Sequence, residues 1–233
     1  MQNVLNEARI EKGARIGKIA TFAGLGFLGA GLVISLVLQA SSLIWISFVC
    51  LLLGLLVSTI GTMNMNRWVR EPRADQALGQ ALKGFDDRYR LYNYYLPAPH
   101  VLLSPQGLTV ITALGQDGVI RFEEGKFHRN FSLLRVLRFM AEEGMGKPFA
   151  EADGQVAAVQ NLLDEEGLGD EVEIQSVVLF YSPRAELQVS APPRPVTNTK
   201  GLKKAIRKVQ GQELSDELYL QIGTLFDRDV VWD

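Results

Sequence analysis

Charge is missing from a long part of this chain. Between Lys18 and Arg67 lie 48 consecutive residues with no Asp, Glu, Lys, Arg or His. Cysteine is almost absent as well. Cys50 is the only one, so no intramolecular disulfide can form, and a reducing compartment is compatible. Histidine is limited to His100 and His128, which argues against a His/Cys zinc site. No G-x-S-x-G elbow, phosphate-binding P-loop or H-E-x-x-H motif occurs. Internal repeats and low-complexity tracts are lacking too, which leaves no basis for a solenoid.

The uncharged run is the strongest positive signal. A hydrocarbon core of about 30 Å is crossed by about 20 helical residues, so the run is long enough for two passes and too long for one. Its only polar cluster near the middle, Gln39-Ala40-Ser41-Ser42, divides it into spans at 19–38 and 43–63. Helices satisfy every backbone hydrogen bond internally, as lipid requires. Basic residues flank the run on both sides (Arg9, Lys12, Arg15 and Lys18 before it, Arg67, Arg70 and Arg73 after it), and the connection carries none. The positive-inside rule therefore places both termini in the cytoplasm, with the chain multi-pass in the cell (inner) membrane. A cleaved secretory signal is the rival reading; the apolar run is too long for it, and a second span follows at once.

Two small-residue patterns lie in the run. Gly24, Gly26 and Gly29 spell G-x-G-x-x-G, but a dinucleotide site needs a strand before that motif, and here it sits within a spanning helix. Cys50, Gly54, Ser58 and Thr62 recur every four residues, a spacing that lets helices approach closely, within the hairpin or in a homo-oligomer.

Beyond the run lie 20 basic and 24 acidic residues, enough chain for one ordinary domain and a balance that argues against a broad nucleic-acid footprint. Apolar spacing predicts a helix over 74–85, with Asp75 in its first turn, and then an aromatic strand over 89–96. A strand at 101–103, a turn at 104–107 and a strand at 108–114 follow. Strands are expected at 119–122, near 127, at 172–181, at 187–189 and at 196, and helices at 133–140 and 151–166. Ser215 is placed to cap a last helix running to about Phe226. Lys200, Lys203, Lys204, Arg207 and Lys208 fall on one helical stripe opposite Leu202, Ile206 and Val209. That stripe is either a solvated face or a contact for an anionic surface, lipid or nucleic acid.

Residues 74–208 resemble the NERD (nuclease-related) domain of the PD-(D/E)XK nuclease superfamily. The resemblance is carried by an ordered set: the helix from Ala74, Tyr89-Arg90-Leu91, the unit from His100 to Ile111, Lys147-Pro148 before a helix, and the strand ending Phe180-Tyr181-Ser182-Pro183. It implies a restriction-endonuclease-like α/β domain with a mixed central sheet flanked by helices, here after a two-helix transmembrane hairpin. The expected divisions are a cytoplasmic tail at 1–18, the hairpin at 19–66 and the NERD-like domain at 70–233.

In such nucleases an Asp precedes the His that opens one strand, and the next strand ends in Glu-x-Lys. The carboxylates hold a divalent metal such as Mg²⁺, which polarises the phosphate and activates water. Here Pro99 stands at the Asp position, Thr112 at the Glu position and Leu114 at the Lys position. Asp75 alone keeps an acid where the family has one. The resemblance thus implies a pseudoenzyme-like binding or scaffolding module without a cofactor, whose partners are the bilayer and an unidentified protein or nucleic acid. The alternative is a metal-dependent nuclease with relocated ligands, drawn from Asp117 and the literal E-x-K of Glu124-Gly125-Lys126. Asp86-Asp87 and Glu165-Glu166 read as solvated surface, because neighbouring side chains diverge.

Overall fold

The computed structural model describes residues 1–37, 44–129, 145–209, 211 and 213–230. The expected hairpin break at 39–42 and the expected helix at 133–140 lie outside them. Of the described residues, Met1–Asn6, 74–129 and those from Met145 on form one compact unit, and Glu7–Arg73 belong to a second.

The second unit is a pair of long helices, α1 (Glu7–Val37) and α2 (Ile44–Trp68), both long and apolar enough to cross a membrane. The buried residues of α2 are Ser47, Gly54, Gly61 and Trp68, and those of α1 include Ile10, Gly17, Gly24 and Gly31. The fully buried positions of α2 thus recur every seven residues, while of the small residues spaced by four Gly54 is buried and Cys50 and Ser58 lie against Gly31 and Gly24 of α1. A seven-residue period keeps one stripe facing a partner helix along its whole length. A Cβ at Gly24 would sit 2.6 Å from the Ser58 backbone nitrogen, and one at Gly61 would sit 2.6 Å from that of Thr21. Ser47 Oγ donates to the Gly31 carbonyl at 2.7 Å. Of the apparent dinucleotide motif only Gly24 faces α2; Gly26 and Gly29 have nothing within 4 Å of a Cβ.

The first unit is mixed α/β. Its elements are β1 (Gln2–Leu5), α3 (Ala74–Ala81), β2 (Arg90–Asn93), β3 (His100–Ser104), β4 (Gly107–Leu114), β5 (Gly118–Glu123), β6 (Lys126–Arg129), α4 (Pro148–Glu165), β7 (Ile174–Phe180), β8 (Ala185–Val189), β9 (Val196–Asn198), α5 (Leu202–Val209) and α6 (Asp216–Asp227). The main sheet has the order β1-β2-β3-β4-β7-β9. Its β2–β3 and β3–β4 pairs are antiparallel, whereas β1–β2, β4–β7 and β7–β9 are parallel. A separate three-stranded sheet, β6-β5-β8, holds the strands expected at 119–122, near 127 and at 187–189.

Alternation along the strands sorts the core into two layers. Val101, Leu103, Leu108 and Val110 pack against Val159 and Leu163 of α4 and against Leu218, Ile222 and Phe226 of α6. On the other face Leu91, Leu102, Ile111, Val177 and Leu179 meet Leu78 of α3 and Leu202 and Ile206 of α5. Ser215 caps α6 as expected, its hydroxyl accepting from Leu218 N at 3.2 Å.

One difference from the sequence reading changes the topology. Residues 1–18, expected as a tail, divide into β1 and the first turns of α1. β1 is an edge strand of the main sheet, with Val4 buried and opposite Tyr92. A four-residue strand whose partner lies 88 positions away leaves no local periodicity to detect.

Candidate functional site

The site is built from the β3–β4 pair and the helix beneath it. β3 turns into β4 at Ser104 and Gly107, and β4 then runs beside β7 with Thr112 opposite Val178 and Leu114 opposite Phe180. Because side chains alternate, Thr112 and Leu114 share the face of Leu108 and Val110, which is the α4 face.

Thr112 is fully buried, and its hydroxyl donates to Gln155 Oε1 of α4 at 2.9 Å. Gln155 in turn donates through Nε2 to Glu151 Oε1 at 3.2 Å. Leu114 packs with Ile120, Ala152, Val178 and Phe180. Pro99 supplies only its carbonyl, which accepts from Tyr94 N at 2.8 Å. The side chains beside Thr112 are therefore an amide, a hydroxyl and a wall of hydrocarbon. A hard divalent cation needs several oxygen ligands, carboxylates foremost, and this set does not fit one. Among the described residues Glu151 is the acid reached from Thr112, and it lies at the exposed end of the hydrogen-bond chain.

Asp75 is not brought to these positions. It is buried on α3, in the layer on the opposite face of the sheet, where Tyr94 Oη donates to its Oδ1 at 3.4 Å. The relocated set fares similarly. Asp117 is paired with Arg129 and, at 3.1 Å, with Arg184. Glu124 and Gly125 form the tip of the β5–β6 hairpin, both with positive φ, and Lys126 opens β6. Asp117 directly precedes β5 and Glu124-Gly125-Lys126 joins β5 to β6, so these residues flank the small sheet, while Asp75 is packed on the main one. Among the described residues no group of three or more His, Cys, Asp or Glu side chains could hold a metal ion.

The histidines separate in the same way. His128 is exposed on β6, whereas His100 is buried with Nδ1 2.7 Å from Asn93 Oδ1. Asp86 bonds the Arg88 guanidinium, and Glu166 accepts from Arg228 at 2.9 Å. The Arg228 guanidinium holds the Glu166 carboxyl below its ordinary value.

The basic stripe divides by role. Lys203 Nζ donates to the Lys83 carbonyl, and Lys203 and Arg207 lie over the Phe85 ring at 5.9 and 5.6 Å. Those two cations seal the chain that follows α3. Lys200, Lys204 and Lys208 are exposed.

Two polar clusters are invisible to sequence reasoning. In one, Arg90 Nη1 donates to Asp227 Oδ2 at 2.7 Å and Tyr92 Oη donates to Asp227 Oδ1 at 2.8 Å, fixing α6 to β2. Burial first, and then the bond to the Asp227 carboxylate, push the Tyr92 phenol well above its ordinary value. In the other, Asn3, Asn93, His100, Tyr94 and Asp75 join across three elements. The only hint in the sequence is a lone Asn within Leu91-Tyr92-Asn93-Tyr94-Tyr95-Leu96.

Residues 68–181 match the family model of NERD, the nuclease-related domain. No curated protein and no solved structure matches the chain. The chain thus carries a nuclease-related domain, and that family places it in the PD-(D/E)XK superfamily. The matched stretch contains α3, β2 to β7 and α4; β1, β8, β9, α5 and α6 lie outside it.

Proposed function

We propose that the nuclease-related domain is a non-catalytic binding or scaffolding module, held at the cytoplasmic face of the membrane by the α1–α2 hairpin. The observation that carries this reading is the environment of Thr112. Where the family's chemistry needs a carboxylate and a lysine two residues apart, the chain has a threonine bonded to Gln155 and a leucine in an apolar cluster. A fold without the site residues does not supply the activity.

The anchoring part rests on two supports. Basic residues flank the hairpin at both ends, and both ends join the same compact unit, at Asn6 and at Ala74. A strand hydrogen-bonded to β2 and a helix packed on the same sheet lie on one side of a bilayer. At a rise of about 1.5 Å per residue, the stretch from Glu7 to Lys18 extends α1 by about 18 Å beyond its uncharged part. The exposed row Lys200, Lys204 and Lys208 is the contact this reading assigns to an anionic partner. Lys203 of the same helix meets the chain just after α3, whereas the hairpin joins at the start of α3. This reading assigns the row to a soluble acidic or nucleic-acid partner.

The test is a nuclease assay on the purified full chain, with linear DNA and single-stranded RNA in Mg²⁺ or Mn²⁺. No cleavage above background is expected. Cleavage that disappears in Asp75→Ala would overturn the reading.

A further inference from the structure

The two segments of the sheet-bearing unit that join the hairpin, β1 and the start of α3, meet in one buried polar cluster. On the side where the chain leaves the sheet, Asn3 on β1 accepts from Asn93 Nδ2 at 2.7 Å, and Asn6 Nδ2 donates to the Tyr94 carbonyl at 3.4 Å. On the side where it returns, Asp75 in the first turn of α3 accepts from the Tyr94 hydroxyl. Between the roots, Asn93 Oδ1 meets His100 Nδ1, and the His100 ring stands edge-on to Tyr94 with centroids 5.0 Å apart. The Asn93 amide hydrogens are used on Asn3, so its oxygen is the acceptor and His100 carries its proton on Nδ1. Asn93, His100, Tyr94 and Asp75 are all at most 3 % exposed.

Tyr94 is the centre of this arrangement, and its backbone is strained. It has a φ of 66°, a left-handed conformation that a tyrosine adopts only when its surroundings impose it. The surroundings do so from both directions: Tyr94 N donates to the Pro99 carbonyl, and the Tyr94 carbonyl receives the Asn6 amide. β1 itself is short, four residues paired on one side only, so side-chain bonds form a large share of what holds it.

We propose that the Asn3–Asn93–His100–Tyr94–Asp75 cluster is a latch that makes β1 and the first turn of α3 open and close as one unit. A displacement of either hairpin root is thereby transmitted to the other root and to the edge of the main sheet. The latch rests on the membrane-hairpin reading for the source of the displacement, and not for its own existence. Buried polar networks of this kind are stiff when every member is satisfied, and lose more than one bond's worth of order when one is removed.

The experiment is amide hydrogen exchange on the full chain in detergent micelles, read at peptides covering residues 2–6 and 74–79. In Asp75→Ala, exchange is expected to rise about tenfold at residues 74–79 and also at residues 2–6, which Asp75 does not adjoin in sequence. Asn3→Ala is expected to raise exchange at 74–79 in turn. Tyr94→Phe removes one hydroxyl and keeps the ring, so it serves if the alanine variants do not fold. In it, the two peptides are expected to respond independently to a second substitution, Asn3→Gln. A change confined to the element that carries the substitution, in either alanine variant, would overturn the latch. So would a Tyr94→Phe protein in which the two peptides still move together. Spans left unprotected by lipid, with the coupling intact, would instead refute the membrane reading alone.

Discussion

Thr112 shows what one side chain decides. Its hydroxyl is satisfied by Gln155, and its neighbours Leu114, Val178 and Phe180 offer nothing polar. Thr112→Glu, the change that would restore the family's carboxylate, therefore buries a charge beside hydrocarbon. It is expected to destabilise the protein by about 3 kcal/mol, with no gain of nuclease activity. Thermal unfolding in micelles measures the first part and a plasmid-nicking assay the second. Tyr92 makes a second case. Its raised phenol keeps its proton in the folded state above the ordinary value of 10.0, where the unfolded chain ionises. The stability this gives is complete below that pH and is lost as pH rises through the folded value. Tyr92→Phe is expected to cost about 1.5 kcal/mol at neutral pH, for the lost bond to Asp227, and to flatten the alkaline fall in stability followed by urea titration.

Among the elements, the hairpin offers the cleanest contrast between positions that look alike in sequence. Gly24 faces α2 and Gly26 faces nothing within 4 Å. Gly24→Leu is expected to cost about 1–3 kcal/mol through overpacking, and Gly26→Leu to be neutral, in thermal melts of the micellar protein. The two long helices and the β3–β4 unit are legible in the sequence because each carries its own signal: 48 residues without charge, and two apolar runs about a Ser-Pro-Gln-Gly turn. Cys50, Gly54 and Ser58 are legible at their four-residue spacing and do meet α1, whereas the seven-residue recurrence of the fully buried positions emerges only with the partner helix in place. β1, the pairing of β8 with β5 and the bond from Thr112 to Gln155 depend on partners far along the chain, and nothing local announces them. The basic stripe is half legible. Its period places five cations together, but the position of the Phe85 ring beneath Lys203 and Arg207 is a tertiary fact.

At the scale of the whole molecule, β1 makes the hairpin an insertion into the sheet-bearing unit instead of a leader before it. Leaving at Asn6 and returning at Ala74, the chain has both helix roots joined to one compact unit. In a Cys50→Ser background, Glu11→Cys and Asn66→Cys are expected to react together with an impermeant thiol reagent in inverted membrane vesicles and to be shielded together in intact cells. Labelling of one without the other would show that the hairpin does not return the chain to the side it left. The central claim, that this nuclease-related domain lacks the means to hold a catalytic metal, is tested most directly by titrating the full chain with Mn²⁺ and following the free ion by electron paramagnetic resonance. The arrangement around Thr112, Leu114 and Asp75 predicts no saturable site in the micromolar range; a stoichiometric site that Asp75→Ala abolishes would contradict it.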